Sequence, residues 1–254
     1  MGNIFVPLRL THNATGLFLH PLRGSDEMLV EDVSTRTALS LLENIVHRVN
    51  PEVTTGTFKV ADIVTADRDR IFAALYMSMY GNTIQSTLTC RHCGSPFDLD
   101  FSLSSLLDHY QLSAAGSSEG VYEIDQDGRF RLPTGADELL LTEFSETTAE
   151  DFLLSRCLIK GDIKKIGGLV QEKMAEIAPV LNLAMQAHCP ECGTDQEVHF
   201  DIQTFFLTRL KQEYPQLIRE VHRIASKYHW SADTILNLPR HLRKQYVLLI
   251  ESEL

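Results

Sequence analysis

The chain has 254 residues, 44% of them hydrophobic and 22% charged, and a formal net charge of −11. That is enough apolar material for one elaborated domain or two small ones, and no run approaches the roughly 18 apolar residues of a membrane span. The acidic balance, with a pI near 5.3, counts against a nucleic-acid module, which needs a basic face to neutralise phosphates.

In chain order, Ile4 to Leu10 reads as a short apolar strand and Gly16 to Leu22 as another, together forming an extended N-terminal arm. Helical spacing begins near Thr35, carries Ala38, Leu41, Leu42, Ile45 and Val46 on one face, and is expected to end before Asn50-Pro51. The stretch Thr55 to Ala61 reads as irregular or a short strand. A second helix follows, with Thr65 as its cap, Asp67 and Asp69 in its first turn, an apolar face of Ile71, Phe72, Leu75, Tyr76 and Met79, and a stop at Tyr80-Gly81.

Cysteines then set the organisation. Cys90-Arg91-His92-Cys93-Gly94 and Cys189-Pro190-Glu191-Cys192-Gly193 share one spacing. A two-residue gap lets both thiolates of a turn face one tetrahedral ion, and the following glycine supplies the positive φ of a tight knuckle. Ile84, Ser86 and Leu88 alternate with polar residues before the first pair, as do Phe97, Leu99 and Phe101 after it. Leu181, Leu183, Met185 and Ala187, then Val198 and Phe200, repeat the pattern around the second pair. Two hairpins sharing one four-cysteine zinc make a zinc ribbon, here interrupted by 95 residues between Cys93 and Cys189, against about 15–20 in the usual spacing. The alternatives are a dithiol redox pair and unliganded thiols in a reducing cytosol. A redox pair belongs at the start of a helix, whereas these cysteines lie between strands. His92 and His188 adjoin ligands as bystanders, and Cys157 falls in an apolar helical pattern as a core residue.

Within the insertion, Val121 to Ile124 and Arg129 to Leu132 read as a hairpin, and Ser113 to Glu119 as a loop of small residues. Thr148 caps a helix through about Leu158, and another helix runs from about Asp162 to Ile177 despite Gly167-Gly168. After the second hairpin the chain is helical: Ile202 to Tyr214, Gln216 to Tyr228, Ser231 to Leu236 with Ser231 as N-cap, and Pro239 to about Glu251. The fold class expected is α+β: a zinc-ribbon-like pair of β-hairpins with an inserted α/β segment and a helical C-terminal region. The segments are 1–60 (arm and helix), 61–203 (ribbon core with insertion 102–180) and 204–254 (helical region).

No glycine-rich phosphate loop, Gly-x-Ser-x-Gly elbow or His-Glu-x-x-His helix is present, so neither enzymatic activity nor a small-molecule substrate is expected. A four-thiolate zinc has no open position for water and would be structural. The basic cluster Arg240, His241, Arg243 and Lys244 reads as a solvated face or a protein contact. Two other classes fit the cysteines: a zinc-ribbon adaptor of transcription or RNA machinery, and a CxxC thiol oxidoreductase. The start Met1-Gly2-Asn3-Ile4-Phe5-Val6 lacks the basic and apolar regions of a secretory signal, which points to synthesis and residence in the cytoplasm.

Three stretches together carry a resemblance. These are Thr65-Ala66-Asp67-Arg68-Asp69-Arg70 leading through Tyr80-Gly81 to the first cysteine pair; Arg131-Leu132-Pro133-Thr134-Gly135-Ala136-Asp137; and Val221 to Ser231, with Ile235 to Pro239 and Arg243 to Tyr246 behind it. The set resembles T-even phage-type baseplate hub and hub-assembly proteins, especially relatives encoded with phage-tail-like contractile injection systems, over most of the chain from about residue 60. The resemblance implies a non-enzymatic baseplate part or assembly factor, made in the bacterial cytoplasm, with other baseplate, hub or spike proteins as partners. The zinc expectation rests on the cysteine spacing, not on the resemblance. Tyr228, Trp230, Arg240 and Arg243 are the candidate partner-binding residues, since the single tryptophan beside Tyr228 can lock a helical corner or anchor a partner.

Overall fold

The computed structural model describes residues 2–12, 14–51, 58–113, 117–118, 120–124, 128–143 and 146–252. The chain runs through β1 (Ile4–Pro7), β2 (Ala14–Leu19), α1 (Gly24–Glu27), α2 (Thr35–Ile45) and β3 (Val46–Pro51). It continues with α3 (Thr65–Tyr80), β4 (Thr83–Thr89), β5 (Pro96–Ser102) and α4 (Leu103–His109). The insertion holds β6 (Ser117–Ser118), β7 (Val121–Ile124), β8 (Gly128–Arg131), α5 (Gly135–Leu139), α6 (Glu146–Cys157), β9 (Leu158–Lys160) and α7 (Ile163–Ile177). Last come β10 (Asn182–His188), β11 (Asp195–Asp201), α8 (Ile202–Tyr228), α9 (Ala232–Leu236) and α10 (Arg240–Ser252). The mixture of helices and small antiparallel sheets is α+β, as expected.

Two compact units emerge: residues 1–8, 13–61 and 204–254 form one, and residues 9–12 and 62–203 the other. The N-terminal and C-terminal segments therefore belong to the same unit. In that unit β1, β2 and β3 make a three-stranded antiparallel sheet, with Ile4 opposite Leu19 and Leu17 opposite Val49. The first residues are thus not an extended arm, because Leu17 and Leu19 are fully buried and the sheet satisfies their backbone. The helix starting at Thr35 ends at Ile45, before Asn50 as expected, but leaves out Val46. Val46 to Pro51 pair with β2 instead, where β-branched Val46 and Val49 suit a strand. Ser34 caps α2 by accepting the Thr37 N–H. Arg240 donates its N–H to Leu22 O at 2.7 Å, tying the C-terminal helix to the N-terminal segment.

Pro215 lies inside α8, so the two expected helices, Ile202 to Tyr214 and Gln216 to Tyr228, are one. Proline removes the hydrogen bond to the carbonyl of residue 211, but Pro215 and Lys211 are both exposed, so water can satisfy that carbonyl. Phe206, Leu207, Leu210, Leu217 and Ile224, all buried, hold the helix together on its other side. The expected N-cap Ser231 accepts the Thr234 N–H.

In the other unit, each strand of the second hairpin begins 99 residues after its counterpart, at 182 against 83 and at 195 against 96. The same offset relates α4 and α8, which start at 103 and 202, and the closing bonds Leu103 N–H to Asn82 O and Ile202 N–H to Leu181 O. Helix, hairpin and helix are therefore repeated, and the aromatic counterparts Phe101 and Phe200 meet edge to face at 5.0 Å.

Between the repeats, β6, β7, β8 and β9 form a four-stranded antiparallel sheet. Tyr122 and Phe130 from this sheet pack with Leu154 of α6 and Ile166 and Val170 of α7. The hairpin Val121 to Arg131 matches expectation; its turn, 125–127, lies outside the described residues, as do 52–57, 114–116 and 119. Ser117–Ser118 is a strand, not loop, because it pairs with Val121 and Tyr122. Thr148 lies within α6 and so does not cap it, and Leu158 begins β9, paired with Phe130. Asp162 caps α7.

Candidate metal centre

Each knuckle is built by the same two backbone bonds. Cys90 N–H donates to Ser95 O and Gly94 N–H to Cys90 O, both at 2.9 Å; Cys189 N–H donates to Thr194 O and Gly193 N–H to Cys189 O, both at 3.0 Å. Gly94 and Gly193 adopt φ of 76° and 70°, the left-handed conformation that costs a residue with a Cβ about 1–2 kcal/mol.

The knuckles meet reciprocally. Cys90 Sγ lies 3.6 Å from Cys192 Sγ, and Cys93 Sγ 3.8 Å from Cys189 Sγ, so the first cysteine of each repeat faces the second of the other. All four sulfurs lie within 4.8 Å of one another. Tetrahedral thiolate coordination with metal–sulfur bonds of about 2.3 Å has sulfur–sulfur edges of about 3.8 Å, so the donor set fits one ion. Cys90 and Cys189 are buried with Ala187 and Phe97, while Cys93 and Cys192 are exposed. Hydrogen bonds with Ser95 and Thr194 lower the Cys93 and Cys192 thiols, favouring thiolate. Burial pushes Cys189 up to about 11, an effect that a cation held among the four sulfurs would oppose.

Gln196 of β11 reaches across the pair. Its Oε1 accepts the Arg91 N–H at 2.9 Å and its Nε2 donates to Thr89 O at 3.4 Å. The corresponding knuckle position in the second repeat is Pro190, which has no N–H, and Phe97 stands where Gln196 would be. His188 pairs with Asp195 at 2.9 Å on the surface, and His92 is exposed. Cys157 lies apart and fully buried, which raises its thiol to about 11.

Residues 25–207 match the sequence model of a family described as T4 bacteriophage base plate protein. The chain belongs to that base plate protein family. The matched span of this baseplate-family chain contains both repeats and the four cysteines of the candidate metal centre, but ends before the stretch from Val221 to Tyr246 that contributed to the resemblance. No curated protein and no solved structure matches it. Membership of a base plate family points to a structural role in a phage tail, and no helix among the described residues is long and apolar enough to cross a membrane.

A second constellation supports the repeats and was not legible in sequence. Thr65, expected as a cap, is the first residue of α3 after Val64, and its hydroxyl donates to Glu138 at 2.9 Å. The next residues each secure a different segment. Asp67 accepts the N–H groups of Arg9, Leu10 and Thr11 and the Thr11 hydroxyl, at 2.7–3.0 Å. Arg68 makes a two-pronged pair with Glu138. Asp69 accepts the Leu181 N–H at 2.7 Å, and Arg70 donates to the carbonyls of Pro179 and Tyr110. Asp67, Arg68 and Asp69 are all buried. Four alternating charges running straight into a buried apolar face were the available signal.

The residues singled out for partners separate into two groups. Tyr228, Trp230 and Tyr246 form a half-buried aromatic trio with centroids 5.1–5.6 Å apart. It locks the corner after α8, where His229 takes a positive φ of 56°. Arg240 and Arg243 turn inward: Arg243 is fully buried between Glu27 and Glu220, at 2.6 and 2.7 Å, and Arg240 pairs with Glu27 and Glu213. Within the expected basic face, Arg240 and Arg243 are therefore corrected to members of an internal ion-pair network, while Lys244 is exposed. Gly24 admits it, since a Cβ there would stand 3.0 Å from Arg243 Nη1 and 2.8 Å from Leu236.

Proposed function

We propose that this chain is a non-enzymatic structural or assembly component, of the hub type, in the baseplate of a phage tail or phage-tail-like contractile injection system. Cys90, Cys93, Cys189 and Cys192 hold one structural zinc ion. The family match across 25–207 carries the first statement. The reciprocal 3.6 and 3.8 Å sulfur pairs support the second.

Four thiolates suit a borderline-soft tetrahedral ion such as zinc and leave no position for a reacting water. The metal's work is then to join the two knuckles, which are separated by 95 residues of chain. Metal-binding free energy, about 10–16 kcal/mol in zinc-finger peptides, becomes folding free energy when the site exists only in the folded chain. Its partners are other baseplate, hub or spike proteins, met in the bacterial cytoplasm during assembly.

Deleting the gene and purifying tails, with mass spectrometry of wild-type particles, tests the reading. Loss of assembled particles on deletion is expected whether the chain stays in the baseplate or leaves after assembly. Normal particles made without the chain would reject a baseplate role.

A further inference from the structure

The two repeats also differ in their helix faces: the face covered in the first is open in the second. On α3 and β4, Phe72, Leu75, Tyr76 and Ile84 are 0–3% exposed. Their counterparts 99 residues on are Gln171, Met174, Ala175 and Leu183, which are exposed or half-buried. These four line a cavity of about 550 Å³ together with Leu154 and Cys157 of α6 and the segments around Val64 and Leu132. That volume lies in the range of specific binding sites, and the mainly apolar lining with few polar groups is their usual composition.

We propose that this cavity docks a partner protein of the same assembly, which inserts an apolar side chain and sets a lysine or arginine against Glu150. The proposal rests on the baseplate reading for the source of the partner. Its chemistry comes from the lining. Among the described lining residues Glu150 carries the only formal charge. It is exposed, and its Oε1 accepts the Gln171 amide at 3.0 Å, which fixes the carboxylate between α6 and α7. A cation beside an apolar group would meet both features at once. A second copy of this chain, with a net charge of −11, would meet like charge.

The test uses the full chain, carrying p-benzoylphenylalanine in place of Ala175, expressed with the other tail proteins and irradiated. The control places the same probe at Glu172, exposed on α7 but outside the lining. Expected is a cross-link from position 175 and not from 172. It should reach one other tail protein, at an apolar residue within about one helical turn of a lysine or arginine, and Glu150→Lys should reduce its yield at least about ten-fold, or 1.4 kcal/mol. Absence of the cross-link in particles that contain the chain, a link to a second copy, or a yield indifferent to Glu150→Lys overturns the proposal. Tails that assemble normally without the chain reject the baseplate reading instead, so the two failures are distinguishable.

Discussion

Asp69 accepts the backbone N–H of Leu181 at 2.7 Å across 112 residues of chain, joining the helix that precedes one cysteine hairpin to the residue that opens the other. The carboxylate is buried, and desolvation raises it from 3.8 to about 7 against the lowering effect of the Leu181 N–H. The folded state therefore holds this proton more tightly than the unfolded chain does. Stability from this group should be greatest below about pH 4 and should decline as pH rises to about 7, by of order 2–4 kcal/mol. Asp69→Asn keeps an acceptor for Leu181 and should flatten that slope in urea unfolding followed from pH 4 to 8. An unchanged slope would assign it to another group.

Asp137 acts in the opposite direction. It pairs with Arg131 and Arg156 and accepts the Thr134 N–H at the start of α5. Although burial opposes them, these bonds hold its carboxyl well below the usual range. Its contribution is present above about pH 4 and lost as pH falls further. Asp137→Asn should remove part of the acid-induced loss of stability below pH 4 and lower stability at pH 7 by about 1–3 kcal/mol. Equal stability of variant and wild type at pH 7 would contradict the pairing.

Arg243 is the fully buried cation of the other unit, set between Glu27 and Glu220. Arg243→Ala leaves two buried carboxylates without it and should cost about 3–5 kcal/mol, read from the urea midpoint. Lys244→Ala on the exposed side of the same helix should stay within about 0.5 kcal/mol. Similar small losses for both would place Arg243 in solvent.

The repeated knuckles make a symmetric prediction. Gly94→Ala and Gly193→Ala each force a Cβ into positive φ, at about 1–2 kcal/mol. Each should weaken metal retention against a competing chelator by a similar factor, about ten-fold. A large effect at one glycine and none at the other would show that the knuckles are not equivalent.

The cysteine hairpins were legible in sequence because local signals agree there: alternation, paired CxxC spacing and a glycine for each turn. Their symmetry was only partly visible, since apart from the cysteines, the glycines and Phe101 with Phe200 few counterparts share a residue type. Buried polar groups were the main loss. Asp67 and Asp69 read as helix-dipole residues and Arg243 as surface, because periodicity records hydrophobicity and cannot say when a charge finds its partner in another segment of the chain. The joining of Pro215 into α8 was likewise hidden, because the proline's local signal is a break while the buried residues on the opposite face keep the helix continuous.

Native mass spectrometry of the intact chain, with elemental analysis, gives the most direct measurement of the shared centre. One zinc per wild-type chain is expected, lost alike in Cys90→Ser and Cys189→Ser, since each removes one of four ligands from a single ion. A folded wild-type chain without zinc, or full zinc retained when either cysteine is replaced, would contradict a site built jointly by the two repeats.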